Sequence, residues 1–105
     1  MSADRELLAL AAKAVGLKGP VHHGHSFVGG FFHYIPLDEH HDRQWRPLYD
    51  DGDALRLAVK RKIFRCHMDL FHRFYDEEIA NRLDQAAATR RAIVRAAAEI
   101  GRAIP

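Results

Sequence analysis

The sequence predicts an α+β fold, a small antiparallel β-sheet packed with helices, in a single domain spanning residues 1–105. Three observations carry that prediction. Apolar residues recur at helical spacing in three separate segments. Between these segments lie runs of aromatic, β-branched or alternating apolar side chains that suit strands. The length of 105 residues, with 48% apolar and 29% charged side chains, supports one hydrophobic core and no second one.

The first helix is predicted over 3–15. Ser2 is placed to cap its free N–H groups, and Asp4 and Glu6 suit the positive end of its dipole. Leu7, Leu8, Ala11, Ala12, Ala14 and Val15 form its apolar stripe, and Gly16 supplies a left-handed stop with Leu17 packing back on the last turn. Residues 25–36 hold Phe27, Val28, Phe31, Phe32, Tyr34 and Ile35, interrupted by Gly29-Gly30. This pattern reads either as a hairpin with a two-residue glycine turn, the favoured reading, or as one strand with a bulge.

A polar loop follows over 36–46. Asp50, Asp51 and Asp53 then cap a second helix over roughly 51–60, with Leu55, Ala58 and Val59 inward. Over 62–71 the chain alternates, with Phe64, Cys66, Met68 and Leu70 on one face and Arg65, His67 and Asp69 on the other, which predicts a half-buried strand. His72 to Glu78 is expected to be a turn or a short extra strand. The last helix runs from Ala86 to Arg102, or from as early as Glu77, with Ile93, Val94, Ala97 and Ile100 inward. Phe64, Met68, Leu70, Ile93 and Val94 are the expected core between strand and helix.

The net charge of +2 is unevenly spread: residues 1–52 carry 5 basic and 7 acidic side chains, and residues 53–105 carry 11 and 7. That imbalance suits an acidic partner but falls short of the footprint of a dedicated nucleic-acid binder. No stretch approaches the roughly 20 apolar residues of a membrane helix. Met1 to Glu6 lacks the basic start and apolar run of a signal peptide, and the single cysteine, Cys66, can form no internal disulfide. A cytoplasmic protein with no membrane partner is expected, small enough that a homodimer would help its stability.

Histidine is the most conspicuous chemical signal, with eight residues: His22, His23, His25, His33, His40, His41, His67 and His72. Imidazole ligates metals near neutral pH, and Asp38, Glu39 and Asp42 stand beside His40 and His41. Yet neither an H-E-x-x-H helix nor paired C-x-x-C fixes a geometry, so solvated loop histidines are expected, with no metal and no cofactor. Cys66 is expected on the buried face of its strand with His67 on the other, an inert thiol rather than a nucleophile. Arg91, Arg95 and Arg102 fall near one face of the last helix, either as a solvated face or as a phosphate-tracking surface. Trp45, Arg46 and Tyr49 precede the second helix, as a packing staple or as interface residues.

Two segments carry a resemblance. Trp45-Arg46-Pro47-Leu48 leading into Asp50-Asp51-Gly52-Asp53-Ala54-Leu55-Arg56-Leu57-Ala58-Val59-Lys60, and Ala86-Ala87-Ala88-Thr89-Arg90-Arg91-Ala92-Ile93-Val94-Arg95-Ala96-Ala97-Ala98-Glu99-Ile100-Gly101, together with the Leu7 to Gly16 helix, resemble the phage ABA-sandwich domain. This is a family of small proteins encoded by bacteriophages and prophages of Gram-negative bacteria. The resemblance implies a layered helix–sheet–helix (α-β-α) sandwich and a phage accessory protein in the host bacterial cytoplasm, with no catalytic residue to carry over. The chain departs from the family in its histidine-rich stretches, 22–25 and 40–41, and over 72–84, where the resemblance implies a glycine-rich hairpin.

No catalytic constellation is present, so the leading expectation is a non-enzymatic interaction protein that binds a host protein, with inhibition of a defence or regulatory complex as its use. Its expected partner contacts are His40, His41, Arg43, Trp45, Arg73 and Tyr75, on the segments least explained by core packing. The alternative is a small anionic-ligand or nucleotide-binding module using Arg91, Arg95 and Arg102. A metal-dependent enzyme built on the histidines ranks third.

Overall fold

The computed structural model describes residues 3–18, 20–23, 30–36, 42–81 and 83–105. Helix α1 (Ala3–Ala14) ends as its sequence predicts. Gly16 adopts φ +78°, its N–H donates to the Lys13 carbonyl at 3.1 Å, and the Leu17 N–H donates to Ala12 at 2.9 Å. This pair of bonds satisfies carbonyls the helix leaves open.

Three strands follow: β1 (His22–His23), β2 (Phe31–Pro36) and β3 (Asp42–Trp45), antiparallel in the order β1-β2-β3. The chain therefore reverses between β1 and β2, as a hairpin requires, but its first strand lies at 22–23. The expected strand over 25–28 and Gly29 lie outside the described residues. At the start of β2, Gly30 has φ +82°, and a Cβ there would stand 2.5 Å from the Tyr49 ring, so both conformation and space call for glycine. β3 forms inside the segment expected to be a polar loop. Alternation sorts the sheet's side chains: Phe31, His33 and its partner Trp45 share one face, while Phe32, Tyr34 and His22 share the other. On that second face His22 stacks on Phe32 (5.6 Å), and Tyr34 meets both rings edge-on.

Helix α2 (Asp51–Lys60) has Asp50 as its N-cap, with the Asp50 carboxylate accepting from the Asp53 N–H at 2.7 Å. Its inward stripe differs from the expected one. Ala54, Leu57 and Ala58 are buried, while Leu55 and Val59 are 56% and 67% exposed. Asp53 sets this roll. It is buried, and its carboxylate accepts from Arg43 Nη1 (2.8 Å), the Arg46 backbone N–H (2.9 Å) and Arg56 Nη1 (3.1 Å), fastening α2 to the end of β3. A stripe beginning at position 54 rather than 55 follows from turning Asp53 inward.

The segment expected to hold a half-buried strand is helical instead: α3 (Ile63–Cys66) and α4 (Met68–Ala80), with the latter also replacing the expected turn over 72–78. The alternation over Phe64 to Leu70 is short enough to satisfy either period. The spacing of Leu70, Phe74 and Glu78, each four residues on, is helical only. No glycine or proline occurs from Asp53 to Ile100 to turn a strand back. In consequence Cys66 is exposed rather than buried, and Phe64 is 42% exposed rather than a core residue.

Helix α5 (Gln85–Arg102) begins at its own cap and not at Glu77: Asp84 accepts from the Ala87 N–H at 2.7 Å. It packs on α1, α2, α3 and α4. Ala88, Ala92, Ala96, Ala97 and Ala98 are buried along it with Ile93 and Val94, and small side chains let the helices approach closely. At Gly101 a Cβ would collide with the Leu10 carbonyl oxygen of α1. The core joins Leu8, Ala11 and Ala12 of α1, Trp45, Leu48, Leu57, Ile63, Phe74 and this face of α5. The result is an α+β protein whose small antiparallel sheet packs against helices.

Candidate functional site

Of the residues expected to touch a partner, the four that are described (Arg43, Trp45, Arg73 and Tyr75) do not form one surface. Trp45 is 3% exposed and belongs to the core, which corrects the expectation that its ring is offered to a partner; it packs, as the staple alternative held. Arg43 is turned onto the buried Asp53 and ties β3 to α2. Arg73 lies on α4 with its guanidinium 4.7 Å from the Phe74 ring centre, and Tyr75 is half-buried and stacked on Phe71 at 5.8 Å. His40 and His41 lie outside the described residues. Arg43 and Trp45 therefore serve β3, while Arg73 and Tyr75 belong to a helix that packs on α3 and α5.

The arginines of α5 hold the fold. Glu78, only 5% exposed on α4, takes Arg95 Nη1 at 2.8 Å and Arg91 Nε at 3.3 Å. Arg95 also pairs with Glu77 (2.6 Å), Arg91 with Asp4 of α1 (2.6 Å), and the Arg95 guanidinium sits 4.1 Å from the centre of the Phe74 ring. Arg102 faces Glu99 at 3.6 Å. A buried carboxylate needs such compensation, and this network clamps α1 and α4 to α5. It corrects the anionic-ligand surface expected from Arg91, Arg95 and Arg102, because the charges of the first two are already neutralised by carboxylates.

Among the described residues, no three His, Cys, Asp or Glu side chains are gathered where they could hold a metal ion. His33 is buried in β2, its Nδ1 3.0 Å from the Tyr34 carbonyl, which accepts from it. His22 stacks within the sheet, and His25, His40 and His41 lie outside the described residues.

An apolar recess lies between α2, α3 and the first half of α5. It has a volume of 330 Å³, at the small end of the roughly 300–1,000 Å³ of ligand clefts. Ala54 and Ile93 form its buried floor, and Leu55 and Phe64 its exposed walls. Val59, one turn beyond Leu55 on the same face of α2, extends this apolar surface. The rim is polar but internally engaged: Arg90 donates to Asp51 at 2.7 Å and to the Leu48 carbonyl at 3.1 Å, and the Thr89 hydroxyl donates to the Gln85 carbonyl at 2.7 Å. Chemically this arrangement offers an apolar slot with a charge-neutral edge. Such a slot accepts an apolar side chain.

Comparison with protein-family models, with curated proteins and with solved structures returns no match.

The sequence places Leu55, Val59 and Phe64 inward, so the groove lined by Leu55 and Phe64, and the exposed Val59 beside it, are not legible from it. One signal could have found it. Asp53, Ala54, Leu57 and Ala58 make a second stripe offset by one residue, with small residues suited to helix contact and an aspartate able to bond a neighbouring backbone N–H.

Proposed function

We propose that the chain is a phage- or prophage-encoded accessory protein that acts by binding a host protein, with the groove between α2, α3 and α5 as its docking surface. The observation that carries this reading is the trio Leu55, Val59 and Phe64, exposed at 56%, 67% and 42% around an apolar recess whose rim charges are already paired with each other. Large apolar side chains clustered in solvent, rimmed by polar groups, mark interaction sites. The neutral rim favours one kind of occupant, the apolar face of an amphipathic helix laid in the groove. The phage origin rests on the resemblance of the segments around α1, α2 and α5, and interference with a host defence or regulatory complex is the use such binding would serve.

The test begins with a photo-crosslinking residue at position 55 in the host cytoplasm, with position 72 on α4 as control. The protein captured only from position 55 is purified and titrated. Leu55→Asp and Phe64→Asp are expected to weaken its binding at least thirtyfold, the effect of losing about 2 kcal/mol at an interface anchor, with helical content unchanged. Equal affinity for both variants would refute the docking surface. So would a wild-type dimer that Leu55→Asp dissolves, since the groove would then be filled by a second copy.

A further inference from the structure

One group of neighbouring cations finds no partner among the described residues. Arg43, Arg56, Arg90, Arg91, Arg95 and Arg102 all face carboxylates. Lys60, Arg61, Lys62 and Arg65, four cations within six residues, have no side-chain hydrogen bond, ion pair or ring contact with any described residue. Asp69, the sole carboxylate between Asp53 and Asp76, pairs with none of them.

These cations are gathered by the elbow joining α2 to α3. The chain turns there through Lys62, whose φ of 54° and ψ of 40° are left-handed, a conformation that non-glycine residues seldom adopt. Glycine would make the same turn without strain, yet a charged side chain occupies it, and strain of this kind clusters at ligand sites. The elbow borders an open hollow of 230 Å³ lined by Lys60, Arg61, Lys62, Cys66 and His67. Arg61, one of the lining residues, has its Nε shut off from solvent with no acceptor among the described residues. A buried donor of this kind ordinarily has a partner.

From these observations we infer that the α2–α3 elbow binds phosphate-bearing anions through Lys60, Arg61, Lys62 and Arg65. Guanidinium groups take phosphate oxygens two at a time, and lysine ammonium groups add compact charge beside them. The anion supplies a counter-charge that no described residue provides here, in an open hollow of 230 Å³. This places anion recognition at the elbow and not on α5. It is independent of the groove and stands whether or not a protein docks there.

Titration calorimetry of the whole chain with inorganic tripolyphosphate, at constant physiological ionic strength, tests the site. Saturable binding is expected, at least tenfold weaker in Lys60→Ala/Lys62→Ala and unchanged in Arg102→Ala. Lys62→Gly relieves the strained turn, so it is expected to lose affinity while its melting temperature holds or rises. Cys66, the only cysteine, lines the hollow and reports its occupancy: tripolyphosphate is expected to slow its alkylation by iodoacetamide. ATP binding as well as tripolyphosphate means that the phosphate chain alone is recognised, and tighter ATP binding names a nucleotide as its source; either result supports the site. The inference is overturned by binding that vanishes at physiological salt, by equal affinity in Lys60→Ala/Lys62→Ala, by loss in Arg102→Ala, or by an unchanged Cys66 rate. It is also overturned if a single-stranded oligonucleotide binds tightly while tripolyphosphate does not.

Discussion

The two sides of this molecule treat the same residue types in opposite ways. Around the middle of α5, Arg91 and Arg95 surround the buried Glu78 and reach Asp4 and Glu77, and the apolar residues there are alanines, valine and isoleucine packed out of water. On the α2–α3 face, Leu55, Val59 and Phe64 remain outside, and Lys60, Arg61, Lys62 and Arg65 pair with no carboxylate among the described residues. A satisfied surface has nothing left to offer a ligand, whereas unpaired charge and exposed apolar area retain their interaction energy for one. Counting charges along the chain does not reveal this. What separates the two regions is where the acids fall once α1 and α4 have been folded onto α5.

The sharpest way to break the comparison is with its two contrasting aromatic residues. Trp45 is enclosed by the core, so Trp45→Ala is expected to destabilise the protein by about 3–5 kcal/mol. Phe64 is nearly half exposed, and its main described ring contact is edge-on with Phe71 at 5.0 Å, so Phe64→Ala should cost only about 1 kcal/mol. Denaturant unfolding of the two variants reads this directly. Equal losses would mean that the α2–α3 face is core after all.

A smaller effect is expected at Asp53. Asp53→Ala removes the acceptor for Arg43, Arg56 and the Arg46 N–H, at about 2–3 kcal/mol given that both guanidinium groups keep access to water. It also frees the roll of α2. Hydrogen exchange should therefore rise through α2 and β3 before it rises in α5. Uniform exchange along the chain would sink the claim that Asp53 fixes which face of α2 looks outward.

Much of this fold is legible in the sequence, and the misses share a cause. The Gly16 stop and the Asp50 cap are local signals, complete within one turn of helix, and Ile93, Val94 and Ala97 of α5 follow from helical period alone; each stands where the sequence places it. The α+β class follows from them together with the aromatic run of β2. The stretch over 62–78 reads as strand and turn because alternation over Phe64, Cys66, Met68 and Leu70 is a short-window pattern, while the long absence of glycine and proline is the stronger argument for helix. Trp45 and the inward turn of Asp53 depend on contacts across the fold that no local period records. The partners of Arg91 and Arg95 were equally hidden, since Asp4 and Glu78 are distant in sequence and adjacent only once the helices pack.

Thermal unfolding of two paired variants beside the wild type tests the division most directly. Arg91→Ala/Arg95→Ala strands the carboxylate of Glu78 in the interior, a loss of roughly 3–5 kcal/mol, which for a domain of this size lowers Tm by about 10 °C or more. Lys60→Ala/Lys62→Ala removes two like charges that pair with no described residue, so its Tm is expected to stay within about 2 °C of wild type or to rise, as for substitutions away from packed or paired features. An Arg91→Ala/Arg95→Ala protein that melts with the wild type, or a Lys60→Ala/Lys62→Ala protein that melts as early as its counterpart should, would contradict the assignment of structural charge to α5 and free charge to the elbow.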